Sequence, residues 1–144
     1  MKSYQASTLI EASPLAIWAV LTDAAGYSEW DSGVERIDGQ IAPGAKISVF
    51  SEVSPGRAFP VTVTELRSGE TMIWSGGMPL GLFKGERTFT PPPIGRSTLV
   101  TMREEFSGPL LRLIWKSMPD LGPSFQQFAA GLKQRVEAGA FALA

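Results

Sequence analysis

The sequence predicts an α+β fold in which a curved antiparallel β-sheet of about seven strands wraps around a long C-terminal helix. Three observations carry this prediction: a strand followed by two short helices at the start, a series of hairpin signals through the middle, and an amphipathic helix at the end. The length of 144 residues is typical of one domain, which we expect to span residues 1–144.

The N-terminal segment alternates in polarity and then changes to helical spacing. Residues 3–11 have the pattern of a strand that turns four side chains to one face, Tyr4, Ala6, Thr8 and Ile10. Ser13 followed by Pro14 predicts a helix start, because the hydroxyl accepts a free backbone N–H and proline fits the first turn. The apolar stripe of this helix is expected to comprise Leu15, Ile17, Trp18 and Leu21. Asp23 then predicts a second short helix, which Gly26 shortens.

The middle of the chain has the pattern of an antiparallel meander. We predict strands at residues 34–39, 45–53, 58–67, 70–77, 82–90 and 97–106. Turn-forming pairs separate several of them, Asp38-Gly39, Pro43-Gly44, Pro55-Gly56 and Ser68-Gly69, and three consecutive prolines at 91–93 predict a loop. Because the connections are short, strands that are neighbours in sequence are expected to pair antiparallel.

The C-terminal region is predicted to be helical. Gly108-Pro109 opens a short apolar helix that runs through Trp115, and Pro119 ends it. Asp120 is expected to cap the last helix. The apolar face of that helix is a stripe of side chains spaced three or four residues apart, Leu121, Phe125, Phe128, Leu132 and Val136.

The absence of two residue types narrows the possible chemistry. The chain contains no histidine and no cysteine, so Ser-His and Cys-His catalysis and ordinary zinc sites are excluded. The glycines at 76, 77, 81 and 85 lack the Lys-Ser/Thr pair and the helix of a phosphate-binding loop. The spacing of three acidic residues, Asp31, Glu35 and Asp38, is compatible with a loop that holds a hard cation such as calcium, but solvated surface charge is the favoured interpretation. We expect no metal and no cofactor.

Charge and hydropathy bear on the possible partners. The net charge is −1 and no run of Lys or Arg gives a local basic patch, so we expect neither nucleic acid nor an anionic membrane as a partner. No apolar stretch approaches the roughly 18 residues of a transmembrane helix, and the N-terminus lacks the apolar core of a signal peptide. A cytoplasmic protein without stable membrane insertion is therefore expected, while the oligomeric state stays open.

Four sequence passages resemble one superfamily. They are the opening pattern Trp18–Leu21–Asp23–Tyr27–Trp30, the pair Val63-Thr64-Glu65-Leu66 and Met72-Ile73-Trp74, the passage Phe106-Ser107-Gly108-Pro109-Leu110, and the closing Leu132-Lys133-Gln134-Arg135-Val136-Glu137. With the order of elements, they resemble the START/Bet v 1-like (SRPBCC) superfamily and its polyketide cyclase/dehydrase and lipid transport family. The resemblance spans essentially the whole chain and implies the helix-grip fold. None of the passages is a catalytic signature, and a fold does not by itself define a function.

The resemblance implies a ligand cavity between the sheet and the last helix. Three side chains of that helix are expected to form its floor, Phe125, Phe128 and Leu132. Five strand residues are expected to form its walls, Val61, Val63, Trp74, Arg87 and Met102. Trp30 and the loop at 78–81 are placed at the mouth, whereas Trp18 is expected to be a core residue.

We consider three functions, and the first, which follows from this cavity, is favoured. It is the binding or transport of a small hydrophobic or amphipathic ligand, such as a lipid, an isoprenoid or an aromatic polyketide-like compound. The second is a polyketide cyclase/dehydrase-type enzyme, in which Arg87 or Arg103 stabilises an enolate and Glu65 or Tyr27 moves protons. The third is a protein-interaction module. Strand parity turns Arg87 inward, where it needs either an anionic ligand or an internal glutamate as its partner.

Overall fold

The structure, a computed structural model, describes residues 2–52, 55–90, 93–94, 96–116, 118 and 120–143. Within these residues the strands in chain order are β1 (Lys2–Ile10), β2 (Val34–Asp38), β3 (Lys46–Ser51), β4 (Ala58–Arg67), β5 (Thr71–Gly77), β6 (Lys84–Thr90), β7 (Pro93–Ile94) and β8 (Ser97–Ser107). The helices are α1 (Pro14–Leu21), α2 (Leu111–Trp115) and α3 (Gly122–Leu143), and 3₁₀ helices span Ala25–Glu29 and Pro79–Gly81.

The strands form one antiparallel sheet in the order β1-β8-β6-β5-β4-β3-β2. Strands β2 to β6 are paired in sequence order, so the predicted meander is confirmed. The long helix α3 packs on the same buried core as the sheet, which confirms the helix-grip α+β fold. Strand β7 was not predicted: Pro93 and Ile94 pair with Thr98 and Ser97 at the end of what was expected to be a loop.

The first helix begins as predicted but turns one side chain differently. The Ser13 hydroxyl accepts a hydrogen bond from the Ala16 N–H at 3.3 Å, with Pro14 in the first turn. Three of the four predicted stripe residues are buried, Ile17, Trp18 and Leu21. Leu15 is 67% exposed, so its assignment to the stripe was wrong. It lies outside the core, beside the β4–β5 turn. The approach is close enough that a side chain at Gly69 would be in van der Waals contact with Leu15, with its Cβ 3.4 Å from the Leu15 Cδ2.

The other predicted helix ends correspond to local hydrogen bonds. The predicted second helix is a 3₁₀ helix at Ala25–Glu29, and the Asp23 carboxylate accepts from the Gly26 N–H at 3.3 Å. The Asp120 carboxylate accepts from the Gly122 N–H at 2.9 Å where α3 begins. The predicted apolar face of α3 is confirmed, with four buried residues and one partly buried one, Phe125, Phe128, Leu132, Val136 and Leu121.

The register of the sheet places side chains of five strands in transverse rows on the face that meets α3. One of these rows, which we term the apolar row, runs through Ala6, Met102, Phe89, Met72 and Leu66. Its members are buried or partly buried in the main core. No helix within the described residues is long and apolar enough to span a bilayer.

Candidate functional site

The row next to the apolar row carries charge into the inner face of the sheet. This second row is offset from the apolar row by two residues on four of the strands and by a β-bulge on the fifth. We term it the mixed row, and it consists of Tyr4, Glu104, Arg87, Trp74 and Val63. The bulge lies between Val63 and Glu65, and it lets both Val63 and Leu66 face the core. An arginine and a glutamate therefore lie side by side between aromatic and apolar neighbours.

The two charged members of the mixed row form an ion pair. The Arg87 Nε donates to the Glu104 Oε1 at 2.7 Å, and the two side chains are 22% and 15% exposed. The Arg87 guanidinium carbon also lies 4.9 Å from the centre of the Phe125 ring on α3. Charge-assisted hydrogen bonding and a cation–π contact thus hold the guanidinium between the sheet and the helix, at a point that solvent still reaches.

Five aromatic rings fill the space beside this pair. They form the aromatic cluster, which consists of Tyr27, Trp30, Trp74, Phe89 and Phe128. Tyr27 has three of the other rings around it, with centroid distances of 5.4 Å to Trp30 and 6.2 Å to both Trp74 and Phe128. The cluster therefore brings together the 3₁₀ helix at Ala25–Glu29, the sheet and α3.

The aromatic cluster contains two polar groups without a partner. The indole N–H groups of Trp30 and Trp74 are buried and have no hydrogen-bond acceptor among the described residues. The indole N–H of Trp18 in α1 shares this property. A buried donor without an acceptor destabilises a fold by about 1–3 kcal/mol, so a hydrogen bond donated by one of these N–H groups to a ligand oxygen would recover free energy.

The hydroxyl of Tyr27 is arranged differently from the indole groups. It is fully buried and donates to the Leu21 carbonyl oxygen at 2.6 Å. Burial raises the pKa of Tyr27 far above its ordinary range, since the opposing effect of the Arg87 charge is weaker than desolvation. The phenol therefore stays protonated and engaged with the backbone, which is a poor arrangement for the proton shuttle considered from the sequence.

Two other candidates for catalysis lie on the outer face of the sheet. Arg103 is exposed and donates to Glu105 at 3.0 Å and to Gln5 at 3.1 Å. Glu65 pairs with the exposed Arg67 at 3.0 Å on the same strand. Of the four residues considered for catalysis, the structure places Arg87 and Tyr27 inside and Arg103 and Glu65 outside.

The nine residues considered for ligand binding lie in or beside the core. Six of them are at most 3% exposed, Val63, Trp74, Met102, Phe125, Phe128 and Leu132. Three are half-buried, Trp30, Val61 and Arg87. Most of the predicted lining therefore packs in the interior, with the half-buried members nearest to solvent.

The acidic residues at 31, 35 and 38 do not converge. Asp31 accepts from the Gln127 side chain at 2.6 Å, and Asp38 pairs with Arg36 at 3.3 Å. Among the described residues, no group of three or more acidic side chains is placed to hold a metal ion.

Sequence reasoning missed Glu104 as a site residue. Its signal was available, because Glu104 is two residues after Met102 and strand parity gives both the same face. Tyr4 and Phe89 were also missed, and only the cross-strand register brings Tyr4 beside Glu104.

Two clefts open on the surface of the described residues. One of about 610 Å³ is lined by Lys2, Leu111, Arg112, Trp115 and Lys116. The other, of about 270 Å³, lies at the β5–β6 hairpin and is lined by Ser75, Gly76, Gly77, Met78, Gly81, Phe83 and Lys84. The second cleft includes part of the loop that was predicted to form the mouth.

Comparison with known structures finds the same fold in proteins of low sequence identity. A START superfamily protein from Mycobacterium smegmatis is 17% identical with a TM-score of 0.68, over 94% of this chain and 97% of that chain. An aromatase/cyclase from a Streptomyces species is 11% identical with a TM-score of 0.72, over 96% and 95%. A Mesorhizobium loti protein is 16% identical with a TM-score of 0.73, over 95% and 98%.

Sequence comparison assigns the family. No similar protein was found among curated sequences. The family model described as polyketide cyclase / dehydrase and lipid transport matches residues 1–137. The chain therefore belongs to the polyketide cyclase/dehydrase and lipid transport family of the START/Bet v 1-like (SRPBCC) superfamily.

Proposed function

We propose that this protein binds a small amphipathic ligand between the sheet and α3, with an apolar body and at least one oxygen that accepts hydrogen bonds. The observation that carries the proposal is the pair of buried indole N–H groups of Trp30 and Trp74 without an acceptor among the described residues. Arg87 adds a third donor group on the same inner face. Buried donors that lack an acceptor favour a ligand with a carbonyl, carboxylate or enolate oxygen.

The apolar body of the ligand would contact the aromatic cluster. Burying about 300 Å² of apolar ligand surface contributes roughly 7 kcal/mol at 25 cal/mol per Å². Lost translational freedom and the ordering of side chains offset much of this, so a micromolar dissociation constant is expected. Because the rings pack against one another, binding requires them to move apart, and the half-buried Trp30 is the member best placed to do so.

The first test asks whether the protein carries a ligand when it is purified. Native mass spectrometry followed by denaturing extraction is expected to release a lipid-like or aromatic compound that contains oxygen. An empty spectrum, together with no thermal shift across fatty acids, isoprenoids and flavonoids, would overturn the proposal.

A second test isolates the donor groups. We expect 2-acetylnaphthalene to bind at least about tenfold more tightly than 2-ethylnaphthalene, because only the ketone offers an acceptor. Trp74→Phe should reduce this preference several-fold, because it removes one of the donor groups. Trp18→Phe is the matched control, since it removes an equally unpartnered indole N–H from α1 and should leave the preference unchanged. Equal affinities for the two compounds in the unmodified protein would contradict the assigned role of the indole donors.

A second function is supported by the Arg87–Glu104 pair. A carboxylate beside a guanidinium on the inner face has the parts needed for enolisation: Glu104 takes a proton from carbon, and Arg87 stabilises the enolate oxygen. The assay is exchange of the α-protons of 2-tetralone for deuterium, followed by NMR. Exchange that is faster than in buffer and is lost in Glu104→Gln would favour an enzyme, whereas exchange at the buffer rate leaves the binding function.

A further inference from the structure

We infer that the surface cleft between β1 and α2 is a second binding site, which takes an amphipathic anion: a carboxylate, sulfonate or phosphate joined to an apolar group. We term this the basic cleft, and its lining residues are Lys2, Leu111, Arg112, Trp115 and Lys116. The cleft adjoins the mixed row where Trp115 stacks on Tyr4. Its lining residues are different from those of the interior site, and the inference does not depend on the function proposed above.

Among the described residues, no carboxylate pairs with the cations of the basic cleft. Of the 13 lysines and arginines, seven pair with a carboxylate within the described residues, and three of the other six line this one cleft. The segment 107–116, which contains α2, has no acidic residue. The fold brings these three cations together, because Lys2 is far from Arg112 and Lys116 in sequence. The cleft is therefore locally basic although the net charge of the chain is −1. The sequence contains no run of Lys or Arg, but the fold groups three cations on the surface.

The apolar wall of the basic cleft packs against two other aromatic rings. The Trp115 ring stacks on Tyr4 at 5.5 Å with an interplanar angle of 26°, and it meets the edge of Phe106 at 5.8 Å. The Lys2 ammonium lies 5.7 Å from the centre of the Trp115 ring. A fixed aromatic face beside a cation gives a ligand an apolar surface and an anion partner at once. On the same short helix Leu113, which does not line the cleft, is 71% exposed.

The arrangement favours an amphiphile over a simple ion. Inorganic phosphate would meet the cations but leave the Trp115 and Leu111 surfaces unused, and a neutral aromatic compound would leave the cations unused. A ligand needs both an anionic group and an apolar group to contact all of the residues that line the cleft. The same chemistry is offered by a soluble aromatic or fatty acid and by the headgroup region of an anionic lipid, and the experiment has one arm for each.

The soluble arm uses 2-naphthoate and its neutral analogue 2-naphthamide. Titrations are followed by the indole N–H signals in ¹H–¹⁵N spectra, with the Trp115 signal assigned from Trp115→Phe. We expect 2-naphthoate to move the Trp115 signal and to bind about tenfold more tightly than the amide. The affinity should fall when NaCl is raised to about 0.5 M, because exposed charges are then screened.

The variant Arg112→Gln/Lys116→Gln tests the assignment. It should weaken 2-naphthoate binding about tenfold, while Lys46→Gln/Arg57→Gln, which removes two exposed cations on β3 and before β4, should leave it unchanged. The lipid arm measures sedimentation with vesicles of phosphatidylglycerol and phosphatidylcholine in equal parts, compared with phosphatidylcholine alone.

The possible results identify the ligand source or overturn the inference. Binding of 2-naphthoate that depends on Arg112 and Lys116, without vesicle binding, assigns the cleft to soluble amphiphiles. Vesicle binding that the same variant abolishes assigns it to lipid headgroups. Naphthoate binding that moves the Trp30 or Trp74 signals and ignores the variant would overturn this inference but support the interior site, and no binding in either arm would overturn it outright.

Discussion

Two ion pairs lie on opposite faces of the sheet, one between β6 and β8 and the other within β8. Arg87 and Glu104 meet on the inner face at 2.7 Å, with side chains 22% and 15% exposed. Arg103 and Glu105 meet on the outer face at 3.0 Å, with side chains 45% and 44% exposed. The residue types are the same and the contacts differ by only 0.3 Å. What differs is the surrounding medium, and this determines both the stability of each pair and its availability to a ligand.

The largest expected effect comes from removing one charge of the inner pair. Glu104→Gln leaves the Arg87 guanidinium without its counter-charge, and we expect the free energy of unfolding to fall by about 2 kcal/mol, short of the cost for a fully buried pair. Glu105→Gln is the matched control and should change it by less than about 0.5 kcal/mol. Urea unfolding of the three proteins measures both effects. Equal effects would show that the inner face is as well solvated as the outer face.

The next prediction concerns the buried phenol of Tyr27, on which the Arg87 charge acts. Tyr27→Phe removes the hydrogen bond to the buried Leu21 carbonyl, and we expect a loss of about 1–2 kcal/mol. The sign of the pH effect follows from the raised pKa of Tyr27, because the unfolded chain releases this proton above about pH 10 and the folded chain retains it. The stability of the unmodified protein should therefore decline above that pH, and the decline should be smaller in Tyr27→Phe. Identical pH profiles for the two proteins would contradict the burial of the hydroxyl.

The fold was largely predictable from the sequence because its signals are local. Alternation over β1, the Ser13-Pro14 start of α1 and the spacing of Phe125 and Phe128 each depend on residues close together in the chain. The main local error was Leu15, which is exposed and lies beside the distant turn at Gly69 instead of in the core.

The candidate site was less predictable because register and parity act over long distances. Strand parity correctly placed Arg87 inside. The same rule, applied to β8, separates Met102 from Arg103, so these two neighbours cannot both face the interior. The pairing of Tyr4 with Glu104 joins residues 100 positions apart, and no local pattern contains that information.

A double substitution separates the structural role of the inner pair from its ligand role. Arg87→Met/Glu104→Leu replaces both charges by apolar groups of similar size, and we expect the stability to change by no more than about 1 kcal/mol. The binding of 2-acetylnaphthalene should nevertheless weaken several-fold, since one donor group on the inner face is gone. Arg103→Met/Glu105→Leu serves as the control and should leave this affinity unchanged. If the inner double variant binds as tightly as the unmodified protein, Arg87 has only a structural role.

A third ion pair, Lys133–Glu137 on α3, has an exposure between those of the other two, so removing its carboxylate should have a smaller effect than Glu104→Gln. The Glu137 carboxylate accepts from Lys133 at 2.7 Å and from the Glu11 N–H at 3.0 Å, and these bonds lower its pKa. A lowered pKa stabilises the fold above the unfolded value near 4.3, and this contribution is lost as the pH falls through the folded value. Glu137→Gln should therefore reduce stability by a few tenths of a kcal/mol at pH 7 and by less at pH 3, because solvent screens the pair. A loss at pH 7 as large as that of Glu104→Gln would show that contact geometry, and not the surrounding medium, sets the strength of these ion pairs.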